Sequence, residues 1–160
     1  MLLVPAVLLS IGCTTVQNSF TDQLSASGVG VVSADMDSGS LHYNGMSTDS
    51  FTIDGRSWGM ATKAERAEER LSGNAYAYGL SGGALILQSS SDAGMAGVDF
   101  DIMGPVGMNS TIDIDSGSVT LQDMAGFQQV VADSIYVEDL SGSVDLLATS
   151  GDIDAEIYPS

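Results

Sequence analysis

The sequence predicts an all-β protein with one short helix, and three observations support this prediction. Hydrophobic residues make up 44% of the 160 residues and charged residues 16%, so the chain can bury a core despite its net charge of -17. The acids are mostly aspartate, and there are 19 glycines; helix interiors disfavour both residue types and turns accept them. Apolar residues alternate with polar ones in short stretches.

The strand pattern begins after residue 28. Each alternating stretch ends in glycine, aspartate, serine or proline, as expected of short strands joined by turns. Val98, Phe100 and Ile102 face one way in the last of them, while Asp99 and Asp101 face the other. The predicted strands of this part are "VGVVSADM", "GSLHYNG", "FTIDG", "AYAYGL", "GALILQS" and "GVDFDIMGP".

One helix is predicted at "TKAERAEERL". Thr62 and Glu65 have the spacing of a capping box. The helix is about three turns long, which is marginal in water, so we expect it to cover an exposed end of the sheet. Its apolar stripe is predicted to consist of Met60, Ala64, Ala67 and Leu71.

From residue 110 onward, turn signals recur every eight or nine residues. They are Ser116-Gly117, Ala125-Gly126, Asp133-Ser134, Ser141-Gly142 and Ser150-Gly151. A short fixed period indicates coils that bury their inner faces by stacking on one another. We therefore predict a flattened β-solenoid, with an antiparallel β-sandwich as the alternative.

The predicted solenoid places next-but-one strands side by side. One stack aligns Ile112 and Ile114 with Gln128 and Val130, and these with Val144 and Leu146. The other stack aligns Val119 and Leu121 with Ile135 and Val137, and these with Ile153 and Ala155. Both stacks are apolar on one face, as a shared core requires.

The N-terminal residues predict export. Residues 1–12 form an apolar run too short to span a bilayer as a helix, which indicates a signal peptide. "LSIGC" resembles a bacterial lipoprotein cleavage box, which implies lipidation of Cys13, the only cysteine. Ordinary cleaved export and a buried N-terminal strand are the alternatives. We predict a polar tether over residues 13–27 and a single domain over residues 28–160.

The charge distribution excludes some partners. All four basic residues lie between Arg56 and Arg70, so no basic stripe elsewhere could bind phosphates, and nucleic-acid binding is not expected. Anionic lipid headgroups would be repelled. We therefore expect the membrane contact to be the lipid anchor, with the protein in the bacterial cell envelope, at the outer membrane or facing the periplasm.

The strand series resembles a known family. "GVDFDIMGP", followed by the Ser-Gly-containing strands from "TIDIDSGSVTL" to "SGDID", is similar to the bacterial putative-adhesin domain of unknown function. The resemblance covers roughly residues 29–157. It implies an exported or membrane-attached protein built of repetitive strands, and it assigns no catalytic residues.

One candidate metal site follows from the predicted stacking. The outward residues Glu138 and Glu156 would lie on neighbouring coils, about 4.8 Å apart, with Asp152 and Asp154 close along the strand. Carboxylates at this distance repel each other, and Ca²⁺, which prefers oxygen ligands, would relieve the repulsion. A weak calcium site is therefore a hypothesis, screening by salt is the alternative, and no other cofactor is predicted.

The sequence does not predict an enzyme. Solvated aspartate pairs lack the burial that tunes a catalytic acid, and His42 has no nucleophile at a recognised spacing, so it is interpreted as a solvated strand residue. Trp58, Tyr76 and Tyr78 could stack on a sugar, but packing is the simpler interpretation.

We therefore predict a non-catalytic lipoprotein for binding or structural presentation at the cell surface or in the periplasm. Its expected partner is an envelope protein or polysaccharide. One alternative is a periplasmic sensor or accessory lipoprotein that binds one protein partner. A second is a carbohydrate-active enzyme on a β-helix.

Overall fold

The computed structural model describes residues 6–10, 13–91 and 95–158. In this part of the chain, eleven strands form one mixed sheet, accompanied by one helix. This confirms the predicted all-β class with a short helix. The elements are β1 (Ala6–Ser10), β2 (Cys13–Ser25), β3 (Val31–Met46), β4 (Ser50–Ala61), α1 (Ala64–Gly73), β5 (Ala75–Ser81), β6 (Ala84–Ser90), β7 (Ala96–Pro105), β8 (Asn109–Gln122), β9 (Ala125–Ala132), β10 (Ser134–Ala148) and β11 (Ile153–Ile157).

The sheet has two regions with different pairing. In the antiparallel region, β2 pairs with β1 and β4, β4 pairs with β7, and β5 pairs with β6. In the parallel region, β3 pairs with β6, β7 and β8, and β8 to β11 pair among themselves. Strand β7 joins the regions, because it is antiparallel to β4 and parallel to β3.

The parallel region confirms the predicted pairing of next-but-one strands, if the two halves of β8 and the two halves of β10 are counted as separate strands. Val119 and Leu121 pair with Ile135 and Val137, which pair in turn with Ile153 and Ala155. Gln128 and Val130 pair with Val144 and Leu146. One alignment was wrong by two residues, because Val130 pairs with Ile112 and Gln128 with Ser110. The shift still places one apolar residue over another on the same face.

The Ser-Gly pairs do not all form the tight turns that the spacing predicted. Ser116-Gly117 lies inside β8 and Ser141-Gly142 inside β10. In β8 the buried side chains are at even positions before Gly117 and at odd positions after it, so both halves of the strand face one core. Gly117 has φ +152°, and a Cβ there would overlap the carbonyl oxygen of Gly39 on the neighbouring strand. Glycine is required because the backbones of successive strands touch at this corner.

The core lies between the inward-facing residues of the bent strands. Tyr43, Phe51, Phe100, Ile114 and Leu121 are among its largest fully buried side chains. They come from β3, β4, β7 and β8, so the core extends across the junction between the two regions.

Residues 13–27, predicted to be a polar tether, are largely a strand. Strand β2 pairs with β4 over twelve successive residues, from Thr14 opposite Ala61 to Ser25 opposite Ser50. Thr14 and Val16 are buried, because alternate side chains of a strand point to the same face. The polar composition of the segment did not indicate this burial. Of the predicted signal peptide, residues 1–5 and 11–12 lie outside the described residues, and Ala6–Ser10 pairs with β2.

Helix α1 packs on strands β2 and β4. Ala67 is its buried residue, and together with Leu71 it contacts Val16 and Ala61. The predicted capping box was wrong: the N-cap is Lys63, and it makes no side-chain cap hydrogen bond. Ala64 is exposed, so only part of the predicted apolar stripe is used. A helix with one buried residue per three turns depends on the sheet for its stability.

Candidate functional site

A row of polar side chains in contact with one another crosses the outer face of four strands. We call Asp101, His42, Gln122 and Glu138 the outer ladder. Asp101 Oδ1 lies 3.3 Å from His42 Nδ1, and His42 Nε2 lies 2.8 Å from Gln122 Oε1. Gln122 Nε2 donates to Glu138 Oε2 at 2.7 Å. The ladder thus links β7, β3, β8 and β10, which stack side by side in the parallel region.

Each ring nitrogen of His42 lies close to a side-chain oxygen of a neighbouring strand. The Gln122 amide donates through its nitrogen to Glu138, so its oxygen faces the imidazole. The imidazole is thus held between Asp101 and Gln122 by contacts to both ring nitrogens. His42 is a partly exposed strand residue, as the sequence predicted, and its two partners lie 59 and 80 positions away in the sequence.

Asp99 forms a second polar cluster on the same face, at the junction strand β7. Arg56 Nε and Nη2 donate to its Oδ2 at 3.0 and 2.5 Å. Its Oδ1 accepts from Trp58 Nε1 at 3.2 Å and from the Ser40 amide and hydroxyl at 3.1 and 3.0 Å. Asp99 therefore ties β4 to β3 across β7, and Trp58 has a structural partner.

A depression of about 410 Å³ lies over the Asp99 cluster and the part of the outer ladder formed by Asp101 and His42. Carboxylates, a guanidinium, an imidazole and hydroxyls line it beside the ring of Phe20. Such a mixture can both donate and accept hydrogen bonds, as recognition of a polar ligand requires. Its lining includes the side chains of His42, Asp54, Arg56, Asp99 and Asp101.

The four carboxylates predicted to share calcium lie at the last strands of the parallel region. Glu138 accepts from Gln122, and Glu156 accepts from the Tyr158 hydroxyl at 2.6 Å. Asp154 pairs with Tyr136 in the parallel register. Asp152 comes directly after the bend at Ser150-Gly151, and it is exposed.

The pKa values of nearby groups show that these acids are crowded. The charge of Glu138 raises the pKa of Tyr136, with smaller effects of Asp154 and Glu156. The hydrogen bond to Glu156 raises the pKa of Tyr158. Within the described ranges, no group of three or more His, Cys, Asp or Glu side chains is arranged to hold a metal ion. Calcium binding by Glu138, Asp152, Asp154 and Glu156 stays a prediction.

Asp133 stabilises a corner of the parallel region. Its Oδ1 accepts from the hydroxyls of Thr149 at 2.8 Å and Ser150 at 2.9 Å, and its Oδ2 accepts from the Gly117 amide at 3.1 Å. These hydrogen bonds lower the pKa of Asp133, and the bond from Thr149 has the largest effect. The carboxylate therefore joins the corners of three successive strand layers.

The aromatic residues of the antiparallel region pack on one another. The ring of Phe20 stacks on Tyr76 with centroids 4.6 Å apart and on Tyr78 with centroids 5.3 Å apart. Desolvation raises the pKa of Tyr78, assisted by the nearby Asp22. Packing is thus the observed role of these tyrosines, as the simpler interpretation of the sequence expected.

Cys13 is the first residue of β2 and is half-buried. It pairs with Ser10 of β1. Lipidation of Cys13, export and the absence of catalysis stay predictions. In the described part of the chain, no helix has both the length and the apolar character needed to cross a membrane.

Comparison with known proteins gives one distant structural likeness. The chain is similar to a crystal structure of a putative cell adhesion protein from Clostridium sporogenes ATCC 15579, with 10% sequence identity and a TM-score of 0.43. The match covers 89% of this chain and 100% of the other. The name agrees with the adhesin-like resemblance of the sequence, but a likeness of this size supports no argument about function. No protein-family model and no curated protein matches the chain.

Proposed function

We propose that this protein is a non-catalytic binding module of the bacterial cell envelope, with an adhesin-like β-repeat domain that presents the outer ladder to an envelope polysaccharide. The observation that carries the proposal is the row of polar contacts from Asp101 to Glu138, two of which are hydrogen bonds. It places carboxylate, imidazole and amide groups at the strand spacing of about 4.8 Å on a rigid surface. Sugars are recognised through such planar polar groups, and a regular row offers repeated contacts to a polymer.

The finer architecture that we propose for residues 109–157 is a flattened β-solenoid. Its support is the parallel pairing of next-but-one strands and the glycine corners where successive backbones touch. In a solenoid each coil fixes the position of the next, so outward side chains repeat with a constant spacing. That spacing would make the outer ladder suitable for a repetitive ligand.

The proposed attachment is a lipid on the thiol of Cys13, after removal of residues 1–12. Metabolic labelling with a palmitate analogue tests it in cells that express the full chain. We expect label on the wild type, none on Cys13→Ala, and full label on the control Ser19→Ala. Label that survives Cys13→Ala would reject the anchor without affecting the proposed binding surface.

Co-sedimentation with purified cell-wall sacculi tests the proposed binding. The double variant His42→Ala/Gln122→Ala interrupts the outer ladder at two half-buried positions. We expect its bound fraction to fall at least fivefold. Glu65→Gln/Glu68→Gln, on the exposed face of α1, is the matched control and should bind as the wild type does.

Equal binding by both variants and the wild type would contradict the role of the ladder. Binding to a single stoichiometric envelope protein, with none to sacculi, would favour the sensor or accessory function instead. Calorimetric titration with CaCl₂ tests the calcium hypothesis separately. Absence of heat together with an unchanged Tm would reject it.

A further inference from the structure

The last strands of the parallel region that the structure describes form an exposed layer. We call residues 141–157, the second half of β10 with β11, the terminal coil. Every residue from Gly151 to Tyr158 is exposed. The preceding layer, β9 with the first half of β10, has its inward side chains buried. The terminal coil therefore repeats the register of the layers before it but lacks their cover.

The apolar side chains of the terminal coil lie in the rows that form the core elsewhere. Val119, Ile135 and Ile153 are successive members of one row, and they are 0%, 2% and 45% exposed. Leu140 and Ile157 are paired members of another, and they are 0% and 42% exposed. One more strand beside β11 would cover Ile153 and Ile157 as β11 covers Ile135. The exposed residues are thus the unburied end of a continuous apolar row.

The backbone of β11 also has an open edge. Among the described residues, β11 pairs with β10 and with no other strand. Ile135 N–H donates to the carbonyl of Asp152, and Tyr158 N–H donates to the carbonyl of Leu140. In a parallel ladder, residues that bond to one neighbour alternate with residues that face away from it. The amides of Ile153, Ala155 and Ile157 therefore face the open edge.

The charge of this edge selects against a second copy of the chain. The outward side chains of the terminal coil include Asp145, Asp152, Asp154 and Glu156, and no lysine or arginine follows Arg70. Two such edges paired with each other would bring carboxylates next to carboxylates, which repel. A strand with basic side chains at alternate positions would instead be attracted, both along the edge and by the net charge of -17.

The geometry points to the outer edge of β11 as a docking site for an extended partner segment in which apolar residues alternate with lysine or arginine. The segment adds one strand to the sheet. Its backbone pairs with the amides around Ala155, its apolar side chains cover Ile153 and Ile157, and its basic side chains meet Asp154 and Glu156. This inference goes beyond the proposed binding of a polysaccharide, because it names a second class of partner and uses a surface separate from the depression above Asp99.

Fluorescence anisotropy with a labelled acetyl-Lys-Val-Lys-Val-Lys-Val-Lys-amide peptide tests the inference on the full chain. We expect saturable binding that weakens with salt. The same peptide methylated on alternate backbone nitrogens keeps its charge but cannot pair, so its affinity should fall at least tenfold. Equal affinity for both peptides would overturn strand addition and leave only non-specific attraction to an acidic protein.

Ala155→Pro removes the central N–H of the open edge. Proline is tolerated on edge strands, so the fold should survive, which the Tm checks. We expect a loss of peptide affinity of at least tenfold. Unchanged affinity would overturn the proposed edge.

Two charge variants separate local from overall electrostatics, because each removes three carboxylates. Asp152→Asn/Asp154→Asn/Glu156→Gln should weaken binding at least fivefold, whereas Glu65→Gln/Glu68→Gln/Glu69→Gln on α1 should leave it within twofold. Equal losses would overturn the local charge match.

Sedimentation velocity of the full chain without peptide tests the competing occupant. A dimer that Ala155→Pro dissolves would overturn the basic partner and assign the edge to a second copy. A monomer at all concentrations supports the proposal. If the wild type binds the peptide but does not bind sacculi, only the polysaccharide role is contradicted. The two proposals therefore fail separately.

Discussion

The antiparallel and parallel regions hold their strands in register by different means. In the antiparallel region, β2 and β4 pair over twelve residues, and Asp99 ties β4 to the neighbouring strands through Arg56 and Trp58. In the parallel region, glycine corners bring successive backbones into contact, and apolar rows run from strand to strand. The comparison teaches that side-chain hydrogen bonds position the first region, whereas backbone shape and core packing position the second. Substitutions at each kind of contact can test this.

Gly117→Ala should have the largest effect. The alanine would need φ near +152° and its Cβ would overlap the carbonyl of Gly39. We expect the free energy of unfolding to fall by about 3 kcal/mol in urea titrations, because strain and the clash add. Gly107→Ala is the control, since a Cβ there meets nothing within 4 Å. Its effect should stay within about 0.5 kcal/mol. Similar effects of the two substitutions would contradict the role of the corner.

Asp99→Ala should have an intermediate effect. Its side chain is only 18% exposed, and its loss leaves Arg56, Trp58 and Ser40 without their acceptor. We expect a loss of about 2 kcal/mol, the scale for charged hydrogen bonds. Hydrogen exchange should quicken in β4 and β7 more than in β10.

Asp101→Ala is the matched control for Asp99→Ala. It lies two residues along the same strand, and its side chain is 63% exposed. Exposed ion pairs contribute little, so its effect should be below about 1 kcal/mol. A uniform loss of protection across the sheet in Asp99→Ala would show that the two regions are not positioned separately.

Asp139→Asn should have the smallest effect, and it should stabilise. Asp139 has φ +53°, which asparagine accepts. Desolvation and the charges of Asp123, Glu138 and Glu156 raise the pKa of Asp139 above its ordinary value of 3.8. A raised pKa means that the protonated acid favours folding below the unfolded pKa and that this stability is lost as pH rises through the folded pKa.

The asparagine variant avoids that loss, so its Tm at pH 7 should exceed that of the wild type. The gain should vanish below about pH 3.8 and shrink in high salt. Asp133→Asn is the control of opposite sign. Its lowered pKa gives stability that is present above the unfolded pKa and lost as pH falls through the folded pKa, so this substitution should lower the Tm at pH 7. Equal signs at the two positions would contradict these assignments.

The periodic parts of the fold were the most predictable. Alternation of apolar residues identified the strands. The spacing of eight or nine residues between turn signals identified which strands are neighbours, as the pairing of Val137 with Ala155 shows. The Ile112 row was misplaced by two residues because a shift of two keeps the same face and leaves the pattern unchanged. Strand β2 was missed because its apolar positions are few and its burial depends on β4 and α1.

The candidate site was much less predictable. His42, Gln122 and Glu138 are far apart in the sequence, and only the stacking of β3, β8 and β10 brings them into one row. Asp99 and Arg56 lie opposite each other on the paired strands β7 and β4, 43 positions apart in the sequence. No local motif marks either group of residues, because each residue needs only to occupy an outward position of its own strand.

The sequence by itself determined the strand class, the helix, the acidic surface and the order of the parallel layers. These follow from local composition and periodicity, because burial of alternate residues has the same period wherever the strand lies. Only the tertiary structure decided that Gly117 is a bend within a strand, that β2 belongs to the sheet and that the outer ladder exists. Each of these features depends on contacts between segments that are far apart in the sequence. Such contacts form only when folding brings the two backbones close together, and no local pattern encodes that distance.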